Sequence, residues 1–248
     1  MSQILALFTV SLRQALPKKR TLLLVLLQLV PALIYLATTT NRTETYSLEL
    51  GVQIGASVYF ALVLPVVSIV LAAGVLGSER RDQTLSFIAL RPLSRVSITI
   101  AKVAAAFIGA SVINAVGAVA LASAHAILFG DTQLLMGFVI GSLVATIAYV
   151  GIFVPLGFLT DRSVIIGMAY LLVFENGIVA ALPGLASMSP WRLGLSTFGA
   201  LTPNAAIYAV DLVGNLELSV TKSVSAAALF LAVGIASTTL LLRTRDLA

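Results

Sequence analysis

Polar and apolar positions in this chain are segregated into long blocks rather than interleaved at short range. Six apolar runs stand out, at about 21–39, 52–77, 98–128, 133–160, 163–183 and 224–242. Each approaches or exceeds the roughly 20 residues a helix needs to cross a bilayer at 1.5 Å per residue. The third and fourth exceed it and must tilt or project. Pro65 and Pro155 lie inside runs, where a kink is expected and neighbouring helices satisfy the freed carbonyls.

Two further segments are patterned differently. In residues 1–17, Ile4, Leu5, Phe8, Leu12, Ala15 and Leu16 recur at helical spacing, while Gln3, Ser11, Arg13 and Gln14 interrupt them elsewhere around the helix. That predicts an amphipathic interfacial helix ended by Pro17, with a frayed terminus as the alternative. It is not a signal peptide of ordinary shape: Lys18-Lys19-Arg20 lies too far in, and the following run is too long. In residues 184–223, Leu193–Val213 is apolar enough for a seventh span. However, Thr202-Pro203-Asn204 reads as an N-cap followed by proline at the first helical position, and Gly214 reads as a stop. We therefore expect two short helices forming a re-entrant outer segment, with Trp191 and Tyr208 at headgroup level.

Composition agrees with this pattern. The 248 residues are 59% hydrophobic and 10% charged, with mean hydropathy +1.07. A soluble domain carries about 25% charged residues. The expected fold is an all-α polytopic membrane protein, one transmembrane domain over 1–248. The net charge of +5 belongs to membrane-flanking loops and implies no nucleic acid. The chain has no cysteine, which excludes disulfides and thiolate chemistry, and one histidine, His125, so no metal site is legible.

Lysine and arginine set the orientation. With both termini cytoplasmic, the inner side holds Arg13, Lys18, Lys19, Arg20, Arg80, Arg81, Arg91, Arg95, Lys102, Arg162, Arg243 and Arg245, and the outer side only Arg42, Arg192 and Lys222. Twelve against three places the 78–97 loop inside the cell, and the expected location is the cell (inner, cytoplasmic) membrane. Asn41-Arg42-Thr43 is then an external sequon, read as a chance occurrence.

The loop GSERRDQTLSFIALRPLSR, residues 77–95, carries six of the chain's 25 charged residues around a small apolar centre. Asp82 can cap a helix from Gln83 to Leu90, Pro92 forbids its continuation, and Ser94 or Ser97 can cap the next span. Leu85, Ile88 and Ala89 share one face of it, a knob for a soluble partner. A simpler reading makes Glu79, Arg80 and Arg81 span-end markers, with Arg95 and Lys102 snorkelling to headgroups. That reading leaves the apolar centre unexplained.

At these residues the sequence resembles the ABC-2 type permeases, the membrane subunits of ABC exporters. Members carry a Glu at the inner end of the second span, then Thr-Leu, Arg-Pro, a further Arg, and a Lys inside the third span. Here those are Glu79, Thr84, Leu85, Arg91, Pro92, Arg95 and Lys102, with Gln83 and Ala101 where glycine is frequent in the family. The resemblance extends to the layout of interfacial helix, six spans, loop and outer segment. It implies a coupling helix between spans 2 and 3 that enters a groove on a separate ATP-binding cassette ATPase. It also implies a second permease copy, identical or related, to complete the pathway. ATPase coupling then falls to Glu79, Arg80, Arg81, Asp82, Gln83, Thr84, Leu85, Ile88, Arg91, Pro92 and Arg95. The chain has no G-x-x-x-x-G-K-[ST] phosphate loop, so it binds no cofactor of its own. ATP and Mg are expected on the partner.

Within the spans, Glu175 followed by Asn176 lies 12 residues into the fifth, about 18 Å from its inner end. A carboxylate there must be protonated, paired or hydrated. It either lines the translocation pathway or holds the re-entrant segment, and no intramembrane Lys or Arg is an obvious partner. Asn114, Gln28 and His125 suit interhelical hydrogen bonds. A membrane-embedded enzyme, such as a lipid-modifying one, needs clustered polar groups at one depth. One histidine and one clear intramembrane carboxylate are poor material for that, so no catalytic residue is assigned. A channel or assembly factor without an ATPase leaves the loop unexplained.

Overall fold

With no water in the hydrocarbon to satisfy backbone N–H and C=O groups, helix is the regular structure open to runs this apolar. The computed structural model describes residues 2–39, 44–81, 94–213 and 216–244, and all regular structure among them is helical. In chain order these are α1 (Ser2–Ala15), α2 (Lys18–Thr39), α3 (Glu44–Ile54) and α4 (Leu64–Arg81), then α5 (Arg95–Phe129), α6 (Gln133–Leu159), α7 (Ser163–Ala169) and α8 (Val179–Ala181). They end with α9 (Pro190–Leu201), α10 (Pro203–Val213) and α11 (Val220–Thr244). Six helical stretches are long and apolar enough to span a membrane: Lys18–Thr39, Ser47–Arg81, Arg95–Phe129, Gln133–Leu159, Ser163–Ala181 and Val220–Thr244. The sequon Asn41-Arg42-Thr43, loop residues Asp82, Gln83, Thr84, Leu85, Ile88, Arg91 and Pro92 with the expected helix 83–90, and Gly214 and Arg245 lie outside the described residues.

Two spans change helical pitch on the way. Between α3 and α4 the backbone widens into a π-helix, Gly55–Val63, and the Leu64 amide reaches back five residues to the Tyr59 carbonyl. Pro65 supplies the reason. It has no N–H, and its ring would strike the carbonyl four residues back, so the ladder shifts register just before it. A second π stretch, Tyr170–Ile178, joins α7 to α8. There the Asn176 side-chain amide donates to the Leu171 carbonyl at 2.9 Å, serving an acceptor on the widened turn.

The core lies along α4 and α6. Ser47–Arg81 is 78% buried over its most apolar window and Gln133–Leu159 72%, against 22% for Ser163–Ala181 and 17% for Val220–Thr244. The last two therefore stand at the periphery with apolar faces outward. Helix α6 packs against α4, α5, α9 and α11. Small residues permit this crowding. A Cβ on Gly141 would lie 2.5 Å from the Gly194 carbonyl oxygen, and the Gly151 and Gly234 backbones meet as closely between α6 and α11. Aromatic rings fill the remaining space: Phe138 lies 4.5 Å from Phe198 and 5.9 Å from Phe60, centroid to centroid.

Helix α1 ends at Ala15, before Pro17, and buries Leu7, Ser11 and Ala15, one stripe at four-residue spacing, against α5 and α4. The segment after α8 begins with a 3₁₀ helix, Pro183–Met188, and continues as two short α-helices. Thr202 parts them: its hydroxyl donates to the Phe198 carbonyl at 2.6 Å, closing α9, and its carbonyl accepts the Ala205 amide at 2.9 Å, opening α10. Trp191 departs from its expected headgroup position and is 7% exposed. The cause is the path of α9, which starts beside Tyr149 in the middle of α6, passes Gly141 at Gly194, and reaches Gly137 at Phe198 and Thr202.

Candidate functional site

Two polar centres lie within this apolar body. The first joins the two helices that flank residues 82–93 in the chain. Lys102, two turns into α5, has no exposed surface, and its ammonium donates to a Glu79 carboxylate oxygen near the end of α4. Glu79 is itself 4% exposed. Lys102 therefore does not snorkel to headgroups: its chain turns inward because Glu79 offers a charge there. Taking two ions from water costs several kcal/mol each, which their attraction offsets only at close contact.

Two further cations hold α4, Arg80 at the same end and Arg20 at its middle. Arg80 Nη1 donates to the Phe158 carbonyl of α6 at 2.8 Å, and its Nε lies 4.0 Å from Asp161 Oδ1. The Arg20 guanidinium of α2 donates to the Val70 carbonyl. Arg81 is exposed, and Arg95 is half-buried at the start of α5. Ser94 caps that helix, its hydroxyl accepting the Ser97 amide at 3.1 Å. Glu79, Arg80, Arg81 and Arg95 thus sit at two adjoining helix ends, and Thr99 ties the same region to α11 through Thr239 at 3.2 Å.

The second centre surrounds Glu175, in the π stretch and wholly buried. The Tyr149 hydroxyl donates to its Oε2 at 2.5 Å and the Ser189 hydroxyl to its Oε1 at 3.3 Å. Tyr170 and Arg192 are its other polar neighbours. Tyr149 precedes the end of α6 by 10 residues, or about 15 Å, so it and Glu175 lie at one level in mid-bundle. Ser189 occupies the N-cap position of α9, but its hydroxyl serves Glu175 instead of the helix amides. The Trp191 amide faces the Tyr149 hydroxyl. A helix N-terminus carries about half a positive charge on its free N–H groups, so this carboxylate has the sign the helix end favours.

Donors outnumber acceptors here. Arg192 is 7% exposed, and its Nη1 reaches only the Val213 carbonyl at 3.4 Å, with the guanidinium carbon 5.1 Å from the Trp191 ring centroid. Arg192 Nε and Trp191 Nε1 are buried and have no hydrogen-bond partner among the described residues. Each such group costs about 1–3 kcal/mol. Asn176, adjacent in sequence, does not join the cluster and is satisfied by its own helix.

The remaining intramembrane polar residues form interhelical ties. Asn114 accepts from Gln28 Nε2 at 2.5 Å and donates to Ser68 and Thr146, both at 2.9 Å, linking α5 to α2, α4 and α6. The Tyr59 hydroxyl donates to the Asn114 carbonyl at 2.8 Å. His125 Nδ1 lies 2.7 Å from the Tyr35 hydroxyl. Among the described residues no three His, Asp or Glu side chains converge as a metal would require.

Residues 17–183 match the family model described as ABC-2 family transporter protein. That is well over half the chain, and the chain belongs to this family, a multi-pass membrane protein of transporter type. Comparison with curated proteins gives no match. The matched region contains Glu79, Lys102 and Glu175 but stops short of Ser189, Trp191 and Arg192.

Sequence reasoning missed Tyr149, Ser189 and Arg192 as partners of Glu175, and Ser68 and Thr146 as partners of Asn114. Arg192 acts on Glu175 through its charge alone, without a direct hydrogen bond to it among the described residues. A usable signal was Ser189-Pro190-Trp191-Arg192, an N-cap and first-position proline followed by a cation in apolar surroundings.

Proposed function

We infer that this chain is the membrane subunit of an ATP-driven exporter, pairing with a second permease copy, identical or related, and with separate ATP-binding cassette subunits that hold ATP and Mg. Both termini and the 79–95 loop face the cytoplasm of a cell whose inner membrane holds the complex. The loop carries the coupling helix, and Leu85, Ile88 and Ala89 present its apolar face to the ATPase. The observation that carries this reading is the buried Glu79–Lys102 pair. It clamps the two helices that flank the loop, so force applied to the loop moves α4 and α5 together instead of prising them apart. Family membership supplies the class of machine.

The test is co-expression with the ATPase encoded beside this chain. Wild-type chains should co-purify with it, and Leu85→Asp combined with Ile88→Asp should abolish the association while leaving the permease in the membrane. An intact complex with both aspartates present would refute the coupling assignment.

A further inference from the structure

We propose that the mid-bundle cluster of Ser189, Trp191 and Arg192 at the start of α9 is a binding site for an amphiphile with an anionic headgroup. Two features point to such a ligand. The N-terminus of a 12-residue helix lies in mid-bundle, where its partial positive charge is little screened. Two donors beside it, Arg192 Nε and Trp191 Nε1, belong to side chains more than nine-tenths buried and have no acceptor among the described residues. The one carboxylate at hand, Glu175, is already engaged by Tyr149 and Ser189. A phosphate or carboxylate would supply the missing acceptor oxygens, with Arg192 providing the opposite charge.

The surroundings specify the rest of the molecule. The wall here is thin: Leu172 and Val173 in the stretch bearing Glu175, and Leu182 and Met188 between it and α9, are each more than half exposed. A headgroup entering past this wall would leave its tail among apolar side chains and hydrocarbon. A sugar or inorganic ion would leave that apolar route unused. Entry requires α9 and the π stretch to part, since both orphan donors are covered in this conformation. The site's place in transport rests on the exporter reading above, whereas binding to the chain itself does not.

The chain contains a single tryptophan, Trp191, so its fluorescence reports on the site. The full chain in nanodiscs of phosphatidylcholine is titrated with dodecyl phosphate, and separately with dodecanol and dodecyltrimethylammonium. Dodecyl phosphate should give a saturable change in Trp191 emission, and the neutral and cationic amphiphiles none. Arg192→Gln should weaken dodecyl phosphate binding about tenfold or more, the value of a charge-assisted hydrogen bond, and Arg192→Lys should retain most of it. Equal responses to dodecyl phosphate and dodecanol would overturn the site even if Arg192→Gln failed to fold. So would wild-type affinity in Arg192→Gln. In proteoliposomes containing the ATPase partner, ATP-dependent movement of dodecyl phosphate identifies the ligand as cargo; bound but unmoved probe identifies it as a resident lipid. Loss of the ATPase complex would abolish movement without touching the nanodisc titration.

Discussion

Lys102 and Glu79 form an ion pair that is almost wholly removed from solvent, joining α5 to α4 at the mouth of the loop between them. Breaking such a pair from one side leaves an uncompensated buried charge, at about 3–5 kcal/mol, whereas replacing both partners by neutral groups is often close to neutral. Lys102→Met and Glu79→Gln should each lower thermal stability in detergent by that order. The double variant should be much less affected than either. Additive losses would show that the two charges do not act as a pair.

Asn114 carries more interhelical bonds than any neighbour in its network, with Gln28, Ser68 and Thr146 all converging on its side chain. Each intramembrane hydrogen bond is worth about 0.6–2 kcal/mol. Asn114→Leu should therefore destabilise by about 2–4 kcal/mol, and Ser68→Ala, which removes one contact, by less than half as much. Unfolding in mixed micelles with increasing sodium dodecyl sulfate would measure the ratio.

Gly151 and Gly234 leave no room for a side chain between α6 and α11. Overpacking of this kind costs about 1–3 kcal/mol. Gly151→Val should loosen α11, and a cysteine pair placed at Ile152 and Leu231 should cross-link more slowly in it than in the wild-type background. Because the chain has no native cysteine, that comparison needs no prior engineering.

Tyr149→Phe deletes the 2.5 Å bond to Glu175 while keeping the ring. We expect ATPase-coupled transport to fall in this variant and in Glu175→Gln, with ATPase-subunit association unchanged in both. Trp191 should show blue-shifted emission poorly quenched by iodide in the wild type. Quenching should rise in Tyr149→Phe as the first turn of α9 loosens. Wild-type transport and quenching in both variants would make Glu175 a spectator.

How much of this was legible beforehand depended on the range of the interaction. The spans follow from hydropathy, which is a property of consecutive residues, and helices such as Lys18–Thr39 and Gln133–Leu159 fall close to the runs 21–39 and 133–160. The break at Thr202-Pro203 was legible for the same reason, because proline acts on its own backbone. The burial of Lys102 was not, since snorkelling and pairing are equally open to a lysine two turns into a span. What decides between them is the position of Glu79, 23 residues earlier on another helix. Arg192 was assigned to the outer side by counting charges, a rule that registers side of membrane and is blind to depth. Its actual place follows from α9 running alongside α6 through Gly141 and Gly194, a contact between residues with no side chain to mark it. Both π stretches were likewise invisible to a fixed period of 3.6 residues.

The route of α9 also bears on how the protein is assembled. At 12 residues it is too short to partition into a bilayer as a span, and the Tyr149 hydroxyl and Glu175 carboxyl that meet its first turn belong to α6 and the π stretch, both earlier in the chain. Its entry into the bundle is therefore a docking event, open only after those helices are threaded and packed. Until then, Trp191 and Arg192 would wait in the aqueous or headgroup layer, in the very position that hydropathy alone assigns them. Biogenesis of this transporter would thus include a late step in which a nascent surface loop becomes its buried centre.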